Sequence, residues 1–317
     1  MDVFIDVVLT LTPLVVLVAL GAALLRFGFM TDAERRFVDR LVYWVGLPAL
    51  LVAKVAEAGA IDASVGWVVL ALGLTTLVAA GAAGVVWAVG IRRMEALGVV
   101  LQGGSRGNLA FVGLPVIDLA GGGDRALAIA AIAIAPTVAL YNVIAVGGLS
   151  WGKSASSLSG GALLKQTLWS MVTNPLIVAC VVGLALAIGG VELPGVVLDS
   201  LRLVGQPAGP LALMSLGGAL VVYRLRGHLV EACATAGVKV AVCPAVALGL
   251  AVVMGLSYEQ SLALLVLAAA PSAVAGYVLV TQLGGDEGLA ASIIAATTLG
   301  SVVSLGAAIA LAGLFSV

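Results

Sequence analysis

The stretch GNLAFVGLPVIDLAGGGD, Gly107–Asp124, decides the fold. It holds five glycines, a proline and an asparagine, with Arg106 just before it, in a chain that is otherwise almost entirely apolar. Glycine weakens a helix interior, and proline removes a backbone donor and clashes with the carbonyl one turn earlier. Arg106 stands twelve residues past Met94, about 18 Å along a helix at about 1.5 Å per residue, near the middle of a bilayer. A charge there costs several kcal/mol unless it faces a cavity or a partner. A helix interrupted here is expected only where protein or water covers the freed backbone groups.

The rest of the chain supplies the membrane. Of its 317 residues 62% are hydrophobic and 10% charged, far too little polar surface for a soluble globular domain. Apolar runs near residues 4–25, 38–55, 65–89, 96–120, 126–148, 166–188, 197–221, 229–254, 259–281 and 288–314 predict ten spanning helices. The first run lacks a basic leader and carries Asp2 and Asp6, so it is expected as a span rather than a signal peptide. Alternate loops contain ten Lys and Arg residues against three, with Arg106 and Lys239 inside spans. That bias predicts both termini outside, the Ser/Gly-rich Leu149–Lys165 link in the cytoplasm, and residence in the inner (plasma) membrane. The formal charge of −1 and the absence of a polybasic run offer no nucleic-acid surface.

One offset of 162 residues relates Pro13 to Pro175, Pro48 to Pro210, and Gly122-Gly123-Asp124 to Gly284-Gly285-Asp286. The halves 1–150 and 160–317 therefore read as two repeats. Five spans per half make the second repeat inverted, the plan of many secondary transporters. The fold class expected is an all-α membrane protein with broken helices 4 and 9, interrupted around Pro115 and Pro271, crossing near mid-membrane.

NLAFVGLP with Asn108 seven residues before Pro115, Asn174-Pro175-Leu176, and Pro271 followed by Gly284-Gly285-Asp286 resemble the auxin efflux carrier family over essentially the whole chain. That family includes plant auxin exporters and bacterial malonate- or malate-type carriers. The resemblance implies a fold similar to bile-acid and sodium–proton transporters. Helices 1, 2, 6 and 7 would form a scaffold joining a homodimer, and helices 3–5 and 8–10 a moving core working by an elevator mechanism. It makes Asn108 a substrate contact and Pro115 and Pro271 the crossover prolines.

The residues suggest a small organic anion as substrate. Arg106 is either its counter-charge or the partner of Asp118 or of a carbonyl. Lys239 is a second buried cation, holding the core together or touching the site. Gln102, Asn108, Asn142, Ser272 and Gln282 can hydrogen-bond a carboxylate or satisfy broken backbone. Helix N-termini at the breaks add donors that suit an anion. Asp118 is the one acid of the crossover span and the weak candidate for ion coupling, so coupling to H+, to Na+ or to neither stays open. A sodium-coupled bile-acid-type symporter is the alternative carrier, and a non-transporting membrane sensor the alternative of another class. His228 reads as a solvated loop histidine, and Cys180, Cys233 and Cys243 as small buried hydrophobes without metal spacing. No nucleophile, base or metal set suggests an enzyme, and no cofactor is expected.

Overall fold

The computed structural model describes residues 2–57, 64–151, 169, 173–223, 228–283 and 285–315; residues 152–165 of the expected cytoplasmic link Leu149–Lys165 lie outside them. The described residues are helical, with no strand among them. In chain order the elements are α1 Asp2–Arg26, α2 Asp32–Leu41, α3 Leu47–Glu57, α4 Val65–Val86, α5 Met94–Ser105, α6 Leu114–Leu119, α7 Gly123–Trp151, α8 Pro175–Ile188, α9 Gly195–Gly205, α10 Ala208–Val222, α11 Leu229–Gly237, α12 Cys243–Val253, α13 Tyr258–Ala269, α14 Val274–Leu283 and α15 Glu287–Ala312. Five stretches among the described residues are long and apolar enough to cross a membrane: Val65–Ile91, Gly123–Leu149, Gly195–Val222, Leu229–Val253 and Glu287–Phe315. Shorter apolar helices include Pro175–Ile188 and Tyr258–Ala269.

Local chemistry sets the ends. The motif Asn174-Pro175-Leu176 is a helix start: the Asn174 side chain accepts from the Leu176 amide at 2.9 Å, and Pro175 occupies the first turn, where its missing donor costs nothing. Capping boxes at Thr31/Glu34 and Ser257/Gln260 open α2 and α13. Three prolines are absorbed rather than obeyed as breaks. Widened π turns at Val42–Gly46, Leu109–Gly113 and Val238–Val242 immediately precede the steps to Pro48, Pro115 and Pro244. A π turn bonds one residue further back, which relieves the carbonyl that a proline ring would strike.

Packing divides the helices. α1 lies along α10, and α3 along α8 with α9 beside it. α4, α5 and α7 pack together, as do α13, α12 and α15, with α13 also against α7 and α4. Glycine permits the closest approaches: a Cβ on Gly21 or on Gly217 would stand 1.8 Å from a backbone oxygen of the facing helix, Met214 or Val18 respectively. Small residues at such contacts are what bilayer helices use in place of a hydrophobic drive to associate.

A cluster of charges joins three chain segments at one end of the second group. Arg93, on the α4–α5 turn, pairs with Glu231 of α11 and with Asp286, the N-cap of α15, at 2.7 Å. His228, exposed as expected, sits at its edge, its Nδ1 3.2 Å from Arg93 Nη2 and 3.4 Å from Glu231. Of the three cysteines, Cys180 and Cys243 are buried but Cys233 is exposed, contrary to its apolar sequence setting. Burial alone would raise the Asp286 carboxyl, but the Leu289 amide and the Arg93 guanidinium outweigh it and hold it below its ordinary value of 3.8. A depressed carboxylate stabilises the folded state above its unfolded value, and that contribution is lost as pH falls through the folded one. Wild-type protein is therefore expected to lose thermal stability as pH drops below 3.8 more steeply than Asp286→Asn. Equal acid slopes in the two melts would refute the assignment.

Candidate functional site

The interruption of the opening stretch falls at Arg106–Asn108. α5 ends at Ser105, and the chain runs extended through Arg106 (φ −80°, ψ 110°). The second interruption falls at Ala270–Ala273, between α13 and α14. The two extended segments lie against each other as an isolated antiparallel bridge between Gly107 and Ser272. The Asn108 amide donates to the Pro271 carbonyl at 2.7 Å, and the Ala273 amide to the Arg106 carbonyl at 3.2 Å. Each break thus satisfies part of the other, as backbone away from water requires. Gly107 is needed for the approach: a Cβ there would come within 2.9 Å of Leu109 and 3.3 Å of Lys239 Nζ.

Four carbonyls beside the breaks are capped by side chains. Lys239 Nζ donates to the Ala268 carbonyl at 2.8 Å, and Ser304 Oγ to that of Ala269 at 3.1 Å. Ser272 Oγ donates to Gly103, and Cys243 Sγ to Gly104 at 3.5 Å. The Ser272 amide donates to Thr297 Oγ1 at 3.1 Å. Lys239, 1% exposed, places its charge on the negative end of the α13 dipole, which is the structural one of its two expected roles. Cys243 is more than a buried hydrophobe.

Pro115 is not a crossover proline. It lies in the first turn of α6, past the π turn that accommodates it, and packs beside Gly209. The residue facing Pro271 is Asn108, seven positions earlier. Asp118 is not at the crossing either: it lies 3.8 Å from Lys54, which also bonds Asp124 at 2.7 Å, so the Arg106–Asp118 pair does not form. Arg106 instead donates to Asn142 Oδ1 at 3.0 Å, with its guanidinium 5.8 Å from the Tyr141 ring centre. Among the described residues no carboxylate pairs with it.

Arg106 and Asn108 line different cavities. A regular strand would put residues two apart on one side, but the chain leaves the extended region at Asn108 (φ −82°, ψ 66°). Arg106, Gln102, Ser272 and Tyr277 surround a space of roughly 20 Å³, enough for about one water. Gln102 donates to the Gly276 carbonyl at 3.3 Å, and its buried Oε1 has no partner among the described residues. Asn108, 8% exposed, faces a cavity of roughly 160 Å³ between the two packing groups, and its amide makes no side-chain hydrogen bond among the described residues. Residues at and just past the two breaks, Asn108 and Phe111 in one segment and Ala273–Ala275 in the other, line that cavity. Gln282 lies in the last turn of α14, and its side chain lies outside the described residues.

The opposite wall holds Arg35 and Asp39 of α2, with Ser215 of α10. Arg35 is 3% exposed and bonds Asp32 and Asp39, each at 2.8 Å. The spacing Asp32, Arg35, Asp39 puts all three on one helix face, a signal available in the sequence.

Five stretches of spanning length support a multi-pass membrane protein, in which two further helices are broken and hydrogen-bonded across each other beside a polar cavity. A family model described as Membrane transport protein matches residues 159–308, a little under half of the chain. No curated protein matches the chain.

Proposed function

We infer that the protein is a secondary carrier that moves a small organic anion, an auxin-like carboxylate or a dicarboxylate, by an elevator motion. The observation that carries this reading is Asn108. It is a buried amide without a side-chain partner, at the start of a half-helix, facing a cavity between two groups of helices. Helix N-termini present unpaired N–H groups and partial positive charge, and both half-helices that follow the breaks begin at this cavity. Lys239 and Arg106 stand at the carboxyl ends of the preceding half-helices, α13 and α5, where they offset the opposite dipole ends and leave the cavity side positive.

In the same reading the chain is ten spans in two inverted repeats, residues 1–150 and 160–317. The α1, α2–α3, α8 and α9–α10 group is a stationary scaffold and the remainder the moving core. The closeness of α1 to α10 through Gly21 and Gly217 supports a rigid scaffold. A homodimer formed through that scaffold, and termini outside the inner membrane, complete the proposal.

Asn108→Ala should remove a hydrogen bond to a charged ligand, about 1.5–3 kcal/mol, or roughly 10- to 150-fold in affinity. Malonate, malate and indole-3-acetate are the probes, first for binding to purified protein and then for flux in liposomes under varied H+ and Na+ gradients. Unchanged affinity in folded Asn108→Ala would remove this residue from the site. Binding without flux in the wild type would make the protein a sensor.

A further inference from the structure

The cavity that Asn108 faces has a second, charged wall, and its chemistry extends the carrier reading on which this inference rests. Arg35 uses Nε on Asp32 and Nη1 on Asp39, with Ser215 Oγ 3.4 Å from the same Nη1. Its Nη2 makes no hydrogen bond among the described residues, although the side chain is almost wholly buried and lines the cavity. A guanidinium carries five N–H donors in a fixed fork, so Nη2 offers two of them to an occupant. Room was made for the group: a Cβ on Gly218 would stand 2.9 Å from Arg35 Cδ. The cavity, roughly 160 Å³, is many times the roughly 10–15 Å³ that one water requires.

We propose that a carboxylate ligand is held across the interface, between the Asn108 amide with its adjoining helix N-termini on one side and Arg35 Nη2 on the other, and that Asp39 takes up a proton when the ligand binds. The reason is the number of negative groups. Asp32 and Asp39 already share Arg35. A ligand carboxylate would be the third on a single guanidinium in a place partly shut off from water, where like charges repel strongly. Protonating Asp39 removes one negative charge and loosens its hold on Nη1; the proton comes from water, because the Asp39 side chain is 28% exposed. The groups facing it are Arg35 and Asp32 on its own helix, the Ser215 hydroxyl on α10, which donates to it, and the neutral Asn108 amide across the cavity. Tyr223 and Tyr277, their ring centres 4.9 Å apart, stand one turn beyond Ala219 and Ala273. Arg35 and Asp39 belong to the helix group read as stationary, so the proton is not cargo. It sets affinity on the side to which this cavity opens.

The experiment is malonate binding to purified protein by calorimetry over the neutral range, where both malonate carboxyls are ionised, in buffers of unlike ionisation heat. Wild type is expected to bind more tightly as pH falls, by up to about tenfold per unit, with net uptake of up to about one proton. Asp39→Asn should bind with a flat pH profile and no proton uptake. Arg35→Gln leaves two aspartates unpaired and can fail to fold, so the double variant Arg35→Gln/Asp39→Asn is the informative one: folded, pH-insensitive, and at least tenfold weaker than Asp39→Asn. A sloping profile retained in Asp39→Asn, or full affinity in the double variant, overturns the proposal while leaving the carrier reading intact. Failure of wild type to bind malonate, malate and indole-3-acetate alike overturns the anion reading, and this proposal with it.

Discussion

Lys239→Ala is expected to lower stability by about 3–5 kcal/mol. The side chain is 1% exposed, and its ammonium is the cap of the Ala268 carbonyl, one of the groups left at the end of α13 where Pro271 ends the helix ladder. Truncation removes a large buried side chain, which ordinarily costs about 2–5 kcal/mol, and strands a buried carbonyl at about 1–3 kcal/mol. The two costs overlap because a water can enter the space and cap the carbonyl. Lys239→Met keeps the volume and loses only the cap, so it should cost about 1–3 kcal/mol. Thermal or denaturant unfolding in detergent measures both. Equal melting of Lys239→Met and wild type would show that the ammonium does not hold the crossing, and would return Lys239 to candidacy as a ligand group.

Gly217→Leu is expected to yield no folded protein. Even a single Cβ at this position would stand 1.8 Å from the Val18 carbonyl oxygen and 2.9 Å from the Ala22 amide nitrogen. Overpacking usually costs about 1–3 kcal/mol because flexible side chains give way. Here the obstacle is backbone in a facing helix, so α1 and α10 must separate along their contact. Gly217→Ala should fall at or beyond the upper end of that range. Gly73→Ala is the control, because nothing stands within 4 Å of a Cβ there; it should be neutral or slightly stabilising through helix propensity. Folded, monodisperse Gly217→Leu in a detergent screen would show that the contact yields.

Much of the architecture is legible in composition and local chemistry. A run of apolar residues has one stable conformation in lipid, so the helices follow from hydropathy and their starts from Thr31, Asn174, Ser257 and Asp286. Gly107, Asn108 and Pro271 mark the two breaks because those residues disfavour a continued helix or supply what an interrupted one lacks. Pro115 looks the same on paper, and there the sequence misleads. A π turn costs little and leaves no mark in the pattern of apolar residues.

Tertiary structure alone decides the rest. Arg106 and Asn108 stand two residues apart in sequence, yet they line different cavities. Arg35 and Asp39 carry an i, i+4 pattern common on solvated helices, and only packing against Ser215 and Gly218 buries Arg35 beside Asn108. Lys239 caps a carbonyl 29 residues away, and Ser304 caps one 35 residues away. Sequence determines that this chain spans a membrane and where its backbone must break. Which distant donors satisfy those breaks, and which charges share a cavity, depends on contacts between helices that no local pattern encodes, because a hydrogen bond reads distance in space and not separation along the chain.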